Sequence, residues 1–330
     1  MPSVPEYTRV DRARFEGEIV PAGRPAVLRG LVADWPLVAE ARAGRLAAVL
    51  KAGASDAAGQ VWLGRHAIGG AFGFTDDLAA YNHERRNAPL AAIVDLIESQ
   101  RGAPEPWAIY AGALPVDRHV PGFRASHPMP LLAPDREALV SLWLGNATRT
   151  AVHWDLPQNL ACVVAGKRTF TLFGIEQVAN LYVGPLDRTL AGQPSSLVDL
   201  AAPDLAKYPR FADALAAAEV AELEPGDALY LPSLWWHGVE SHAELGAMVN
   251  FWWRDGAAQV SPLLALLHAV MTTADLPPAE RARWRVLFDH YLWDGEAATH
   301  LPAGAAGGVL TDRSEATLAP LRARLAASLK

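Results

Sequence analysis

The feature that most constrains the fold of this chain is a series of short β-type runs in its middle part, separated from one another by Pro, Gly and Asn. The clearest runs are 107–110, 139–144, 159–164, 169–173, 228–231 and 247–253. Each short strand can bury one face only if the chain turns back within the same domain. The spacing therefore predicts an antiparallel β-sandwich or barrel.

Helical patterns flank this β-rich part. On the N-terminal side, a strand over 25–30 precedes a helical stretch over 34–50, and further helices are expected near 76–81 and 90–99. On the C-terminal side, the pattern after Trp253 also becomes helical. We therefore divide the chain into an N-terminal α/β segment (1–105), a β-rich core (106–258) with an insertion near 185–220, and a C-terminal helical segment (259–330).

An apolar helical face stands out in the C-terminal segment. Trp284, Leu287, Phe288 and Tyr291 recur at the spacing of one face of an α-helix. Such a face packs either within the chain or against a second copy, and the pattern alone leaves both open.

Charge and cysteine content narrow the function classes. The 330-residue chain has 29 Lys and Arg against 36 Asp and Glu, a net charge of −7, which disfavours nucleic acid as a main partner. The single cysteine, Cys162, excludes an internal disulfide and a zinc site built from several cysteines. The N-terminus has no apolar run of the kind that forms the core of an export signal. The apolar stretches elsewhere are shorter than the roughly 20 residues that span a bilayer. We expect a cytoplasmic protein without a membrane segment.

A candidate metal site begins with a His-x-Asp pattern at the end of a predicted strand. Residues i and i+2 of an extended chain point to the same side, so His153 and Asp155 can both face the interior. A third ligand is predicted at His237, which closes a second β-type run. His242, five residues further on, is the main rival. Two histidines and one carboxylate on one face of a metal leave open positions, as in non-haem Fe(II) oxygenases.

The surroundings of these residues resemble a known family. The turn and strand over 224–232, followed by Trp235-Trp236-His237, are similar to the second metal motif of the JmjC-type, cupin-like Fe(II)/2-oxoglutarate dioxygenases. The segment 25–36 looks like the N-terminal strand and Trp-Pro of that family. Within that family, the pattern resembles that of the hypoxia-inducible-factor asparaginyl hydroxylase group and of bacterial cupin-like proteins.

The resemblance implies a set of 2-oxoglutarate contacts. Thr150 and Tyr110 match the family's hydroxyl groups that reach the distal carboxylate, and Asn159 and Asn250 match amides near the cosubstrate. The family generally places a Lys two residues after a Gly to pair with that carboxylate, whereas here Gly166-Lys167-Arg168 places an Arg there. The planar guanidinium suits a carboxylate, so we assign the role to Arg168, with Lys167 as the alternate.

The resemblance also implies a fold and an activity. The fold is mainly β with α decoration: a double-stranded β-helix, or jelly roll, with an N-terminal α/β segment and C-terminal helices. The expected activity is Fe(II)- and 2-oxoglutarate-dependent hydroxylation of a side chain in a protein or peptide, with succinate and CO2 as coproducts. A homodimer formed through the C-terminal helix is also implied.

Three alternatives stay open at this point. The same chemistry could act on a small molecule or a nucleoside. The chain could be a metal-binding cupin-like module without oxygenase activity. The presence of Arg168 where the family has Lys favours this alternative. It could also use a metal without 2-oxoglutarate, which Thr150, Asn159 and Asn250 argue against.

Overall fold

The structure is a computed structural model that describes residues 3–255, 261–302 and 307–329. The strands in this part of the chain are β1 (Glu6–Thr8), β2 (Ala26–Arg29), β3 (Ala58–Gly64), β4 (Ala71–Phe72), β5 (Glu84–Pro89), β6 (Ala108–Pro115), β7 (Leu139–Gly145), β8 (Arg149–His153), β9 (Gln158–Ala165), β10 (Arg168–Phe173), β11 (Glu219–Leu223), β12 (Ala228–Leu231), β13 (Trp236–Ser241) and β14 (Gly246–Trp253). The α-helices are α1 (Arg12–Arg14), α2 (Pro36–Arg42), α3 (Leu46–Gly53), α4 (Leu90–Glu98), α5 (Val116–His119), α6 (Phe123–Ser126), α7 (Phe211–Ala217), α8 (Pro262–Thr273), α9 (Pro278–Phe288) and α10 (Glu315–Ser328).

The strands form two sheets. The major sheet has nine strands in the order β1-β2-β12-β9-β14-β7-β6-β3-β5, and the minor sheet has five in the order β11-β10-β13-β8-β4. Most neighbours pair antiparallel, and strands distant in sequence lie side by side, such as β12 beside β9. This arrangement confirms the predicted β-rich jelly roll with helical decoration.

The space between the two sheets is the first part of the core. Ala161 and Val163 of β9 pack there with Phe170 and Leu172 of β10. The intervening residues of β9, such as Cys162, point to the other face of the major sheet. A strand that is buried on both faces has no polar side to alternate with, which explains the continuous apolar run over 160–164.

The outer face of the major sheet is covered by the N-terminal helices. Val38 of α2, Leu50 of α3 and Ile93 of α4 are buried in one cluster with the outward residues of β9 and β14. The predicted helical stretches over 34–50 and 90–99 are therefore confirmed, the first as two helices. These helices bury the sheet and leave the space between the sheets for the candidate site.

The prediction of a helix near 76–81 is wrong, because these residues form turns. Asp77 Oδ1 accepts a hydrogen bond from the N–H of Ala79 at 3.0 Å, and Thr75 Oγ1 accepts one from the N–H of Ala80 at 3.1 Å. Leu78 has a φ of 56°. Short polar side chains that bind nearby backbone groups compete with helix formation, and the apolar spacing did not reveal this competition.

The insertion over 185–220 packs on the outer face of the minor sheet. It is a loop followed by α7, as predicted, and Phe211 and Ala214 of this helix are buried with Val152 of β8 and Trp236 of β13. The insertion therefore covers the strands that carry the candidate metal ligands.

The chain divides into two compact units, residues 1–257 and 258–330. The predicted boundary near 258 falls within 256–260, outside the described residues. In the second unit, the predicted helix is present as α9, continued by a π-helical turn over 289–293. Among the helices that the structure describes, none is both long and apolar enough to cross a membrane.

Candidate metal centre

Three ligating side chains converge at the end of strands β8 and β13. The two strands are antiparallel neighbours, and their register places His237 directly opposite His153. Asp155 follows β8 by two residues, and its Oδ2 lies 3.6 Å from His237 Nε2. One ligand atom from each of the three residues lies within 4.8 Å of the other two, and in the described part of the chain no other such group of three exists. The predicted ligands therefore share one site.

Both histidines are held with the same ring nitrogen toward the metal position. His153 Nδ1 lies 2.8 Å from the backbone oxygen of Ala151, and His237 Nδ1 lies 2.9 Å from that of Trp235. Each Nδ1–H donates to its carbonyl, which fixes the tautomer and leaves Nε2 with a free lone pair. The backbone of each strand thus orients its own ligand.

The protonation state also suits a metal. Burial, and next to it the neighbouring His153, lower the pKa of His237 to about 4, although Asp155 and the carbonyl of Trp235 oppose the shift. The imidazole is therefore neutral at neutral pH, which is the form that binds metals.

A buried cation lies in the same cavity as the triad. Arg168 on β10 is 4% exposed, its Nε has no hydrogen-bond partner, and among the described residues no carboxylate pairs with it. Burial lowers the pKa of Arg168 to about 10, and nearby Tyr110 opposes the shift, so the guanidinium stays charged at neutral pH. A buried charge without a counter-ion is costly, so this residue fits a bound anion.

The structure brings together the residues that sequence reasoning assigned to the cosubstrate, with one exception. We call their common space the metal cavity; it is lined by Tyr110, Trp143, Thr148, Thr150, His153, Asp155, Asn159, Arg168, Phe170, His237, Val239, Met248, Asn250 and Trp252. The exception is Lys167, whose Nζ lies 2.9 Å from Glu222 Oε2 on the surface. His242, the rival ligand, also lies outside, with Nε2 at 2.8 Å from Thr169 Oγ1.

The hydroxyl and amide groups of the cavity differ in how they are held. Thr150 Oγ1 accepts a hydrogen bond from the N–H of Val239 at 3.1 Å, where β13 is irregular. Asn250 Oδ1 accepts one from Trp143 Nε1 at 2.7 Å. Asn159 Oδ1 is buried without a partner. Asn159, like Arg168, therefore presents a polar group that a bound molecule would satisfy.

Tyr110 stands at the border of this cavity. Burial raises the pKa of its phenol, so the group stays protonated and can donate a hydrogen bond. Its ring packs between Trp62 and Trp143, with centroid distances of 5.6 Å and 6.0 Å. The aromatic packing fixes the ring in place.

A second cavity of about 430 Å³ opens beside the metal cavity and shares Tyr110, Thr150, His153 and Asp155 with it. We call it the mouth cavity. Gln60, Trp62 and Arg85 from strands β3 and β5 line it, together with Ser195 and residues 189–193 of the insertion. Its volume is in the range of small-ligand and substrate pockets.

Sequence reasoning missed the residues of the mouth cavity. Trp62 and Arg85 belong to no motif, and only the sheet register places them opposite each other. The loop over 189–193 is far from both in sequence. The one available signal was the short apolar run over 61–63, which is consistent with a strand but does not identify its partners.

Comparison with known proteins agrees with the geometry. A family model described as a cupin-like domain matches residues 12–259, most of the chain. Lysine-specific demethylase JMJ31 of Arabidopsis thaliana is 34% identical over 116 residues, 35% of this chain and 21% of that protein. The tRNA wybutosine-synthesizing protein 5 of Mus musculus is 37% identical over 145 residues, 39% of this chain and 43% of that protein.

A third relative aligns over a longer stretch. The human bifunctional peptidase and (3S)-lysyl hydroxylase JMJD7 is 27% identical over 201 residues, 51% of this chain and 60% of that protein. The chain thus spans between about a fifth and three fifths of the length of these relatives. By the family match and by its fold, the chain belongs to the cupin-like, JmjC-type domain family.

Proposed function

We propose that this protein is an Fe(II)- and 2-oxoglutarate-dependent oxygenase that hydroxylates a side chain of a protein or peptide. The observation that carries the proposal is the shared cavity of a buried His-Asp-His triad and an unpaired buried arginine. A metal site alone would not explain why Arg168 is buried without a counter-ion. A dicarboxylate that chelates the metal with one end and reaches the arginine with the other accounts for both.

Each residue then has a distinct role. His153, Asp155 and His237 hold Fe(II), and Arg168 pairs with the distal carboxylate of 2-oxoglutarate. That pairing satisfies the guanidinium by charge-assisted hydrogen bonds. Thr150, Tyr110, Asn159 and Asn250 supply further hydroxyl and amide contacts to the same molecule; Lys167 is paired at the surface and takes no part.

When bound, Fe(II) and 2-oxoglutarate supply the oxidising chemistry, with succinate and CO2 as coproducts. The protein positions the reactants and excludes water. The backbone carbonyls of Ala151 and Trp235 orient the two histidines, and the rings of Trp143 and Trp252 wall the cavity. The chain needs no side chain as a general base.

A polypeptide is the substrate class that we favour. The names of two of the relatives refer to action on lysine or lysyl groups, which occur in polypeptides, and the net charge of −7 disfavours a nucleic acid partner. The name of the wybutosine-synthesizing relative keeps a nucleoside as the competing substrate.

The test is an anaerobic titration of the purified apoprotein with Fe(II) and then 2-oxoglutarate, followed by visible absorption. We expect a metal-to-ligand charge-transfer band, and we expect His153→Ala to lose it because the ligand set is broken. His242→Ala is the matched control, since this histidine lies outside the cavity, and it should keep the band.

A wild-type protein that binds metal but shows no band would contradict the proposal and favour a metal-binding module without oxygenase activity. A band that survives in His153→Ala would contradict the ligand assignment. With the band established, peptide and nucleoside substrates can be compared through succinate formation and product mass.

We further propose that the C-terminal helices pair with a second copy of the chain. In α9 and the turn that follows it, Trp284, Leu287 and Tyr291 are 41%, 44% and 51% exposed. Large apolar side chains that recur on one exposed helix face mark an interaction surface. We expect Trp284→Asp to lower the sedimentation coefficient from dimer to monomer. An unchanged coefficient would count against the pairing, and Arg283→Asp is a charge control on the same helix.

A further inference from the structure

A row of side chains leads from the metal cavity to the edge of the major sheet. The register pairs Tyr110 with Trp62 and Trp62 with Arg85, across strands β6, β3 and β5. Directly paired residues of antiparallel strands point to the same face. The ring of Trp62 lies 5.6 Å from that of Tyr110, and Arg85 Cζ lies 4.6 Å from the centre of the Trp62 ring. Arg85 therefore stands in the mouth cavity, roughly 10 Å from Tyr110 at two strand spacings.

The guanidinium of Arg85 is fixed but not neutralised. It stacks on Tyr81, with Cζ at 4.0 Å from the ring centre, and its Nη2 donates to the backbone oxygen of Leu190 at 2.6 Å. Its Nε donates to His83 Nε2 at 3.2 Å. Burial and the charge of Arg85 lower the pKa of His83 to about 4, so this histidine is neutral. In the described part of the chain no carboxylate pairs with Arg85. The N–H groups of its Nη1 are available to donate to a bound molecule.

The mouth cavity offers no other charge to balance this cation. Asp155 is the one carboxylate among the described lining residues, and it is a member of the metal triad. At the metal, the charges of Fe(II) and Arg168 are offset by Asp155 and the two carboxylates of 2-oxoglutarate. Arg85 then remains as an uncompensated positive charge beside the reaction site.

We propose, on the basis of the proposed function, that Arg85 binds a carboxylate of the substrate and that the substrate is an acidic peptide segment. The planar guanidinium is suited to a carboxylate, and its stacking on aromatic rings holds it ready for one. At roughly 3.3 Å per residue in an extended chain, the distance from Tyr110 to Arg85 spans about three residues. Because Tyr110 borders the metal cavity, the acidic residue lies about three positions from the part of the peptide that reaches that border. A lysyl ammonium in this cavity would meet a like charge.

The experiment uses capped heptapeptide pools that differ only in one class of side chain: Asp and Glu, Asn and Gln, or Lys and Arg. Binding is measured by anaerobic calorimetry on the full chain loaded with Mn(II) and 2-oxoglutarate. We expect the acidic pool to bind about tenfold more tightly than the amide pool, the size of one charge-assisted hydrogen bond, and the basic pool to bind most weakly. Free aspartate and glutamate should bind more weakly than the acidic peptides.

Two variants separate recognition from structure. Arg85→Gln should abolish the preference for the acidic pool, whereas Arg86→Gln, the next residue on β5, should keep it because Arg86 is paired with Glu84. A loss of affinity that is equal for all pools in Arg85→Gln would mean that Arg85 only holds the loop at Leu190, and would overturn the proposal. So would a wild-type preference for amide or basic pools, binding of none of the pools, or free amino acids that bind as tightly as peptides.

The charge-transfer band keeps this test separate from that of the proposed function. If the band forms in the wild type and in Arg85→Gln, the metal site is intact and the peptide result concerns Arg85 alone. If the band is absent from the wild type, the proposed function fails whatever the peptides do.

Discussion

The metal cavity and the mouth cavity lie side by side, yet they are built in different ways. The metal cavity takes its ligands from two neighbouring strands, β8 and β13, and two of these ligands stand two residues apart in the sequence. The mouth cavity takes its walls from β3, β5, β6 and the insertion, which are far apart in the chain. The first is a local motif closed by one strand pairing, whereas the second exists only after the sheet edge and the insertion have been assembled.

The two cavities also differ in the burial and contacts of their arginines. Arg168 is buried, and its Nε has no hydrogen-bond partner. Arg85 is partly exposed and packed between aromatic rings, and it faces the opening. On the proposed function, this difference assigns the cosubstrate to the inner cavity and the substrate to the outer cavity.

The largest effect is expected at Arg168. In Arg168→Met the affinity for 2-oxoglutarate should fall by about 100-fold, because one partner of a buried charge pair is lost. Fe(II) binding should be kept, because the triad is intact. The same change should raise the free energy of unfolding of the apoprotein by about 1–3 kcal/mol, since an unpaired buried charge is removed.

The matched control for this prediction is Lys167→Met, whose side chain is paired at the surface. It should change neither 2-oxoglutarate affinity nor stability by much, because exposed ion pairs contribute little. Calorimetry and denaturant unfolding check both quantities. If Lys167→Met lost cosubstrate affinity and Arg168→Met did not, the assignment of the two cations would be reversed.

A smaller effect is expected at the mouth. Since burial and Arg85 lower the pKa of His83 from 6.5 to about 4, the unfolded state takes up a proton below pH 6.5 that the folded state refuses. His83 therefore destabilises the fold as the pH falls from 6.5 toward 4. In His83→Phe, the loss of unfolding free energy across this window should be smaller by about 1–2 kcal/mol, after allowing for partial exposure.

Denaturant unfolding at several pH values measures this slope. His66→Phe, a change at an exposed histidine that follows β3, serves as the control and should leave the slope as it is in the wild type. An equal slope in His83→Phe and the wild type would show that His83 titrates normally. His83 would then not be held neutral beside Arg85 in the mouth cavity.

Much of the fold could be predicted from the sequence. The β-type runs, the helices over 34–50 and 90–99 and the insertion with its helix are all present, because burial of one or two faces imposes a period that the sequence displays. The residues 76–81 are the instructive failure, since the side chains of Thr75 and Asp77 bind the backbone locally and prevent a helix. The division of 1–105 from the core stays a prediction.

The sequence by itself determined the ligand types and their local geometry. His153 and Asp155 share one side because an extended chain repeats every two residues. It likewise determined that Lys167 and Arg168, as neighbours, could not both point inward. These properties depend on covalent geometry within a few residues and on the periodicity of burial.

Only the tertiary structure decided which distant residues meet. Backbone hydrogen bonds between strands are the same whatever the sequence, so local patterns identify a strand without identifying its neighbours. The register of β13 on β8 brings His237 opposite His153, and that of β5 on β3 brings Arg85 opposite Trp62. It is the packing of the two sheets that buries Arg168 and leaves its Nε without a hydrogen-bond partner.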